Sequence, residues 1–111
     1  MNTYYIVYEM LFQKSQDSKY TDPKPMKAAN LDNLRARLAA DVLKRTNSRY
    51  MYSAMVMKSI GGDVIGTVMP LNDTEAVWEP SDDAHRDEGA YYPINPKTGK
   101  LGKKKSWWNR A

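Results

Sequence analysis

Residues 31–45 (LDNLRARLAADVLKR) limit the fold more than any other segment, because they have the apolar spacing of a helix. Leu31, Leu34, Leu38 and Val42 recur three or four apart, as one buried stripe requires. Asn30 is placed to cap the N-terminus, Asp32 lies in the first turn, and Lys44 and Arg45 lie in the last. Both charge placements suit the helix dipole. Asn47 and Ser48 follow as stop residues. A lone helix with one apolar stripe must bury it against something, and the rest of the chain offers strands.

Residues 3–13 (TYYIVYEMLFQ) alternate at period two. Tyr4, Ile6, Tyr8, Met10 and Phe12 share one face, and Tyr5, Val7, Glu9 and Leu11 share the other. Both faces are apolar enough for a central strand. Residues 49–59 (RYMYSAMVMKS) and 64–69 (VIGTVM) flank the turn signal Ile60-Gly61-Gly62-Asp63 and read as an antiparallel hairpin. Gly66 inside the second arm marks a bulge or a close backbone approach. Residues 75–78 (EAVW) supply a short fourth strand. Residues 14–27, polar and holding Pro23 and Pro25, read as a long loop.

The predicted fold is therefore α+β, one helix packed on a small, mostly antiparallel sheet in the order β-α-β-β. The expected organisation is a compact domain over 1–79 and a mostly irregular, charge-segregated tail over 80–111. At 41% apolar residues, 111 residues can build one modest core. The tail assignment rests on the loss of apolar periodicity after Pro80 and on charge. Residues 73–89 hold seven acids and one base, whereas 90–111 hold six bases and no acid. Such segregation is not needed for a core and points to a contact surface, for a partner or for the chain itself.

Several chemistries find no support. The chain has no cysteine, so disulfides, thiolate metal sites and cysteine nucleophiles are ruled out. The single histidine, His85, stands in Asp82-Asp83-Ala84-His85-Arg86-Asp87-Glu88. That cluster lacks a framework to fix metal geometry and reads as a solvated acidic loop. Glu9 is the one acid in an apolar strand, edge-facing or paired with a helix arginine. Gly61-Gly62 lacks the lysine and the serine or threonine of a phosphate loop. No catalytic residue, metal or cofactor is expected. No apolar run reaches the roughly 18–20 residues of a membrane span, and no signal peptide is evident, so a cytoplasmic location without membrane association is expected.

Binding is better supported. Arg35, Arg37, Lys44 and Arg45 are read as lying on the helix away from its leucine stripe. With Arg49 they form either a solvated helix face or a patch that meets phosphates. Tyr4, Tyr5, Tyr8, Tyr50 and Tyr52 make the sheet rich in tyrosine. Those on an open face could stack on bases. Lys103-Lys104-Lys105-Ser106-Trp107-Trp108 is the sharpest local signal. Its lysines attract phosphate or an acidic surface, and its tryptophans either anchor a partner or dock back on their own domain.

The net charge of +4 and pI near 9.3 fit nucleic acid or an acidic protein and compel neither. No Lys/Arg-Gly-aromatic-Gly-aromatic run occurs in 49–59, and no other family signature is present. The first expectation is a non-enzymatic module that binds nucleic acid with low specificity through its basic, tyrosine-rich surface and its Lys/Trp tail. The alternative is a protein-interaction module of bacterial or phage type that adapts or inhibits a partner, such as a nucleic-acid enzyme.

Overall fold

A computed structural model describes residues 1–81 and 89–107. The chain runs through β1 (Asn2–Phe12), β2 (Ser18–Tyr20), β3 (Lys24–Ala28), α1 (Leu31–Arg45), β4 (Tyr50–Met57), β5 (Val64–Pro70), β6 (Ala76–Pro80), β7 (Ala90–Pro93) and β8 (Lys105–Ser106). The eight strands form one sheet in the order β2-β1-β4-β5-β6-β7-β8, with β3 beside β2 along β1. All of these pairings are antiparallel. The α+β expectation holds in outline, with β1, α1, β4, β5 and the short β6 close to their predicted bounds. The sheet is much larger than predicted.

Two expectations are corrected. Residues 14–27 are not simply a loop: β2 pairs with Glu9–Leu11, and β3 pairs with Asn2–Ile6. Together they are a broken edge strand. The side chains of β2 are all exposed, so no apolar alternation marks it, and an edge tolerates Pro25. Nor is the whole of 80–111 irregular. β7 pairs with β6 through Val77↔Pro93 and Trp78↔Tyr92, and β8 pairs with β7. Ala90, Tyr91 and Ile94 are buried.

Strand parity decides what the helix covers. Ile6 faces Val56 and Tyr8 faces Ala54 across β1 and β4, and Ala54 faces Val68 on β5. These side chains meet Leu34, Leu38 and Val42, each fully buried, in one cluster with Tyr4, Trp78 and Ile94. Val7 has the opposite parity and lies on the other face. The cap of α1 is as predicted: the Asn33 N–H donates to Asn30 Oδ1 at 2.9 Å.

Gly66 serves both expected purposes. The register between β4 and β5 shifts as Val56↔Gly66 gives way to Met57↔Val64, which is a bulge. The Trp78 indole also packs against Gly66, and a Cβ there would collide with its six-membered ring at Cζ2. Gly99 is constrained differently. Its φ of +76° is left-handed, and a Cβ would run into the Asp32 carbonyl, so the 95–102 segment is held close against the start of α1.

The second sheet face carries no helix among the described residues. Across it, Val7 pairs with Met55 and Met55 with Thr67, while Leu11 pairs with Met51. Their side chains are half-buried. No helix among the described residues is long and apolar enough to cross a membrane.

Candidate functional site

The helical bases do not share one exposed surface. Arg35 is a correction: it is 9% exposed and lies under the helix, its guanidinium 4.4 Å from the centre of the Trp78 ring. The spacing contained this signal. Arg35 is four residues after Leu31 and three before Leu38, so helical geometry puts it beside the stripe. Only its charge suggested an outward position. Arg37 is exposed and donates from Nη1 to the Lys27 carbonyl at 2.7 Å, bridging α1 to β3. Lys44 and Arg49 are exposed.

Arg45 is exposed but engaged. Its Nε lies 3.0 Å from Asp41 Oδ1, and its guanidinium sits 4.8 Å over the Tyr8 ring. The Tyr8 hydroxyl donates to the other Asp41 oxygen. The bond to Asp41 raises the Arg45 pKa. Burial, then the bond to Asp41 and its negative charge, push the Tyr8 hydroxyl up to about 12 from 10.0. The neutral phenol is thus favoured in the folded state. Its contribution to stability is complete below the unfolded value and is lost as pH rises through the folded one. Urea midpoints followed from pH 10 to 12 are therefore expected to fall further in the wild type than in Tyr8→Phe. Parallel curves for the two proteins would remove Tyr8 from the account.

The lysines Lys103, Lys104 and Lys105 are exposed, with Lys105 opposite Tyr91 on the β7–β8 pair. Trp107 takes the docked alternative. Its ring stacks on Tyr91 with centroids 4.0 Å apart and an interplanar angle of 26°, and its Nε1 donates to Glu79 Oε2 at 3.3 Å. Its backbone N–H donates to the Gly89 carbonyl. The C-terminal segment meets the acidic block at Glu79, through the Trp107 indole. Trp108 lies outside the described residues, as does the His85 cluster.

The open tyrosine platform is not formed. Tyr4, Tyr8, Tyr50 and Tyr52 share the parity of Ile6 and Val56, so they belong to the helix-covered side. Tyr4 and Tyr8 are buried. The Phe12 and Tyr50 rings meet edge to face at 4.8 Å. Tyr5 alone of the five has the parity of the face opposite α1. Glu9 shares that face, so it meets no helix arginine, and it is not at an edge because β1 is paired on both sides. It accepts from the Tyr20 hydroxyl at 2.7 Å and the Ser53 hydroxyl at 3.4 Å.

The sequence reading missed a cleft of about 1000 Å³ at the N-terminal end of α1. Leu31 and Arg35 from α1, Lys58 and Asp63 beside the β4–β5 turn, and Trp78, Tyr92 and Leu101 line it. No local motif signals it, because its walls come from five separate stretches of chain. Arg35 gives it an unusual polar element. Nη1 pairs with Asp32 Oδ1 at 3.0 Å, while Nε is buried with no hydrogen-bond acceptor. Among the described residues no three acidic or histidine side chains cluster in a way that could hold a metal ion. Comparison with protein-family models, with curated proteins and with solved structures finds no match to this chain.

Proposed function

We propose that the protein is a small, non-enzymatic, cytoplasmic binding module that holds nucleic acid through phosphate contacts, with little sequence preference. The observation that carries this reading is the disposition of charge on the helix side. The two acids of α1, Asp32 and Asp41, are taken up by Arg35 and Arg45. The exposed cations Arg37, Lys44 and Arg49 have no carboxylate within ion-pair distance among the described residues. Lys103, Lys104 and Lys105 are exposed at the opposite end of the sheet and form a second basic surface. Phosphate contacts of this kind release counterions, so affinity falls steeply with salt. Base stacking has a smaller part than the composition suggested, since four of the five sheet tyrosines face the helix.

The test is a salt titration with single- and double-stranded DNA and RNA. Replacing Lys103, Lys104 and Lys105 together by alanine is expected to flatten the log–log salt slope by about 2–3, since each lost phosphate contact removes a little under one unit. Failure of the wild type to bind any of these nucleic acids at low salt would overturn the reading.

A second reading is favoured by the β1–β4–β5 part of the sheet face opposite α1. Val7, Leu11, Met51, Met55 and Met69 are half-buried there around Glu9, with no helix of the described residues over them. Methionine-rich apolar surface suits a protein partner, as in an accessory protein that adapts or inhibits a nucleic-acid enzyme. A pull-down that survives nuclease treatment would select this reading.

A further inference from the structure

Trp78 packs against Gly66, and the Arg35 guanidinium of α1 sits 4.4 Å from the centre of its ring. Arg35 and Trp78 both stand in the wall of the cleft at the start of α1.

Arg35 is poorly compensated for so buried a charge. Its only carboxylate partner among the described residues is Asp32, whose side chain is 41% exposed against 11% for Arg35. The pair is therefore lopsided, with water weakening the acid's side of it. Nε is shut off from water and has no acceptor. Guanidinium groups are normally buried only where several acceptors meet their donors, because desolvation of the charge is otherwise uncompensated. Burial lowers the Arg35 pKa more than Asp32 restores it. The ring of Trp78 offsets part of this cost through its π face, but it accepts no in-plane hydrogen bond.

The rest of the cleft suggests what would complete the arrangement. Leu31, Val64, Ile65, Tyr92 and Leu101 make most of its wall apolar. Lys58 adds a second cation, and Asp63 is the one acid among the described lining residues. A concave, largely apolar site with a few convergent polar groups is the usual form of a small-molecule pocket. We propose that this cleft binds a small organic anion, a carboxylate or phosphate joined to an aromatic body. The anionic group meets Arg35 with Lys58 beside it, and the ring packs against Tyr92, Leu31 and Leu101. The site is separate from the basic outer surface of the helix and does not depend on nucleic-acid binding.

The experiment is an NMR titration of the labelled full chain with 2-naphthoate, phenyl phosphate, inorganic phosphate and the uncharged 2-naphthylmethanol. The two aromatic anions are expected to give saturable shifts at the Trp78 indole N–H, the Arg35 Nε–H and the amides of Tyr92 and Leu101. Their affinity should exceed that of inorganic phosphate and of the neutral analogue by about tenfold, the usual worth of one charge-assisted hydrogen bond. The naphthoate and phenyl phosphate arms distinguish a carboxylate ligand from a phosphate ester. Arg35→Met keeps the side-chain bulk, and the Asp32 carboxylate it leaves behind is 41% exposed and can be solvated, so no buried charge is stranded. It is expected to fold, keep its melting temperature and lose the anion preference, which a purely structural arginine would not do. Should Arg35→Met not fold, Lys58→Ala at its exposed position decides the matter, with an expected loss of about threefold for a partly screened charge. The absence of saturable shifts at the cleft residues would overturn the proposal. So would equal binding of the neutral analogue, or anion affinity unchanged in whichever of the two variants is measured.

Discussion

Replacing Leu38 by aspartate is expected to abolish folding. Leu38 is fully buried at the centre of the α1 stripe, in the cluster with Ile6, Ala54, Val56 and Val68. Truncating a leucine in such a place costs about 2–5 kcal/mol, through lost transfer free energy and the cavity left behind. An aspartate adds the desolvation of a carboxylate, and among the described residues the Nε of Arg35 is the one buried side-chain donor without a partner. That is several kcal/mol more, or a proton taken up to avoid it. The sum is comparable to the whole net stability of a domain of this size, about 5–15 kcal/mol. Far-UV circular dichroism and urea titration should show no cooperative transition. Ala40→Asp is the matched control, since Ala40 is on the same helix and exposed. It is expected to cost no more than about 1 kcal/mol, chiefly helix propensity. A cooperative Leu38→Asp protein of near wild-type stability would refute the packing of α1 on the sheet.

Gly66→Ala is expected to destabilise the protein by about 3 kcal/mol, the upper end for a single added methyl in a packed core. The added Cβ would collide with the Trp78 indole at Cζ2. The ring has little room to retreat, because Trp78 is 4% exposed and Arg35 lies near it on the helix side. The backbone at Gly66 has an ordinary φ, so the cost comes from the collision and not from strain. That distinction can be measured. In a Trp78→Leu background the same Gly66→Ala change should cost much less, giving a coupling energy of about 1–3 kcal/mol between the two sites. Additive costs would mean that the glycine is required for another reason. Near-UV circular dichroism of Gly66→Ala should also lose the signal of a rigidly held indole.

Short-range geometry was legible in the residues. The cap, bounds and stripe of α1 follow from Asn30 and the spacing of Leu31, Leu34, Leu38 and Val42, because a helix of 3.6 residues per turn leaves few other ways to read them. The alternation in β1 sorted Tyr4, Ile6 and Tyr8 from Tyr5, Val7 and Glu9 correctly. Gly66 was recognisable as a special position, although neither the bulge nor the indole upon it could be told from one residue. Arg35 was legible and misread, since its charge was allowed to outweigh its position beside the stripe.

Other features depended on partners distant in sequence. Nothing local marks Ser18–Tyr20 or Lys24–Ala28 as strands, because an edge strand here is made by the unpaired N–H and C=O groups of β1 and not by its own apolar pattern. Ala90–Pro93 and Lys105–Ser106 are too short to show a period, and β6 supplies the ladder that fixes the first of them. Which face of β1 is covered by α1 was likewise undecided, and with it whether the tyrosines form a platform or a core.

The sequence by itself determined one helix, the alternating faces of its longer strands, the absence of cysteine chemistry and the segregation of charge. Each is a property of composition or of residues within a few positions of one another. Only the tertiary structure decided that α1 lies over Tyr4, Ile6 and Tyr8, that residues 89–107 contribute strands to the sheet, and that Trp107 rests on Tyr91. It also brought Leu31, Arg35, Lys58, Trp78, Tyr92 and Leu101 around one cleft. Those outcomes come from satisfying backbone hydrogen bonds and burying apolar surface between segments far apart in the chain, which no local pattern encodes.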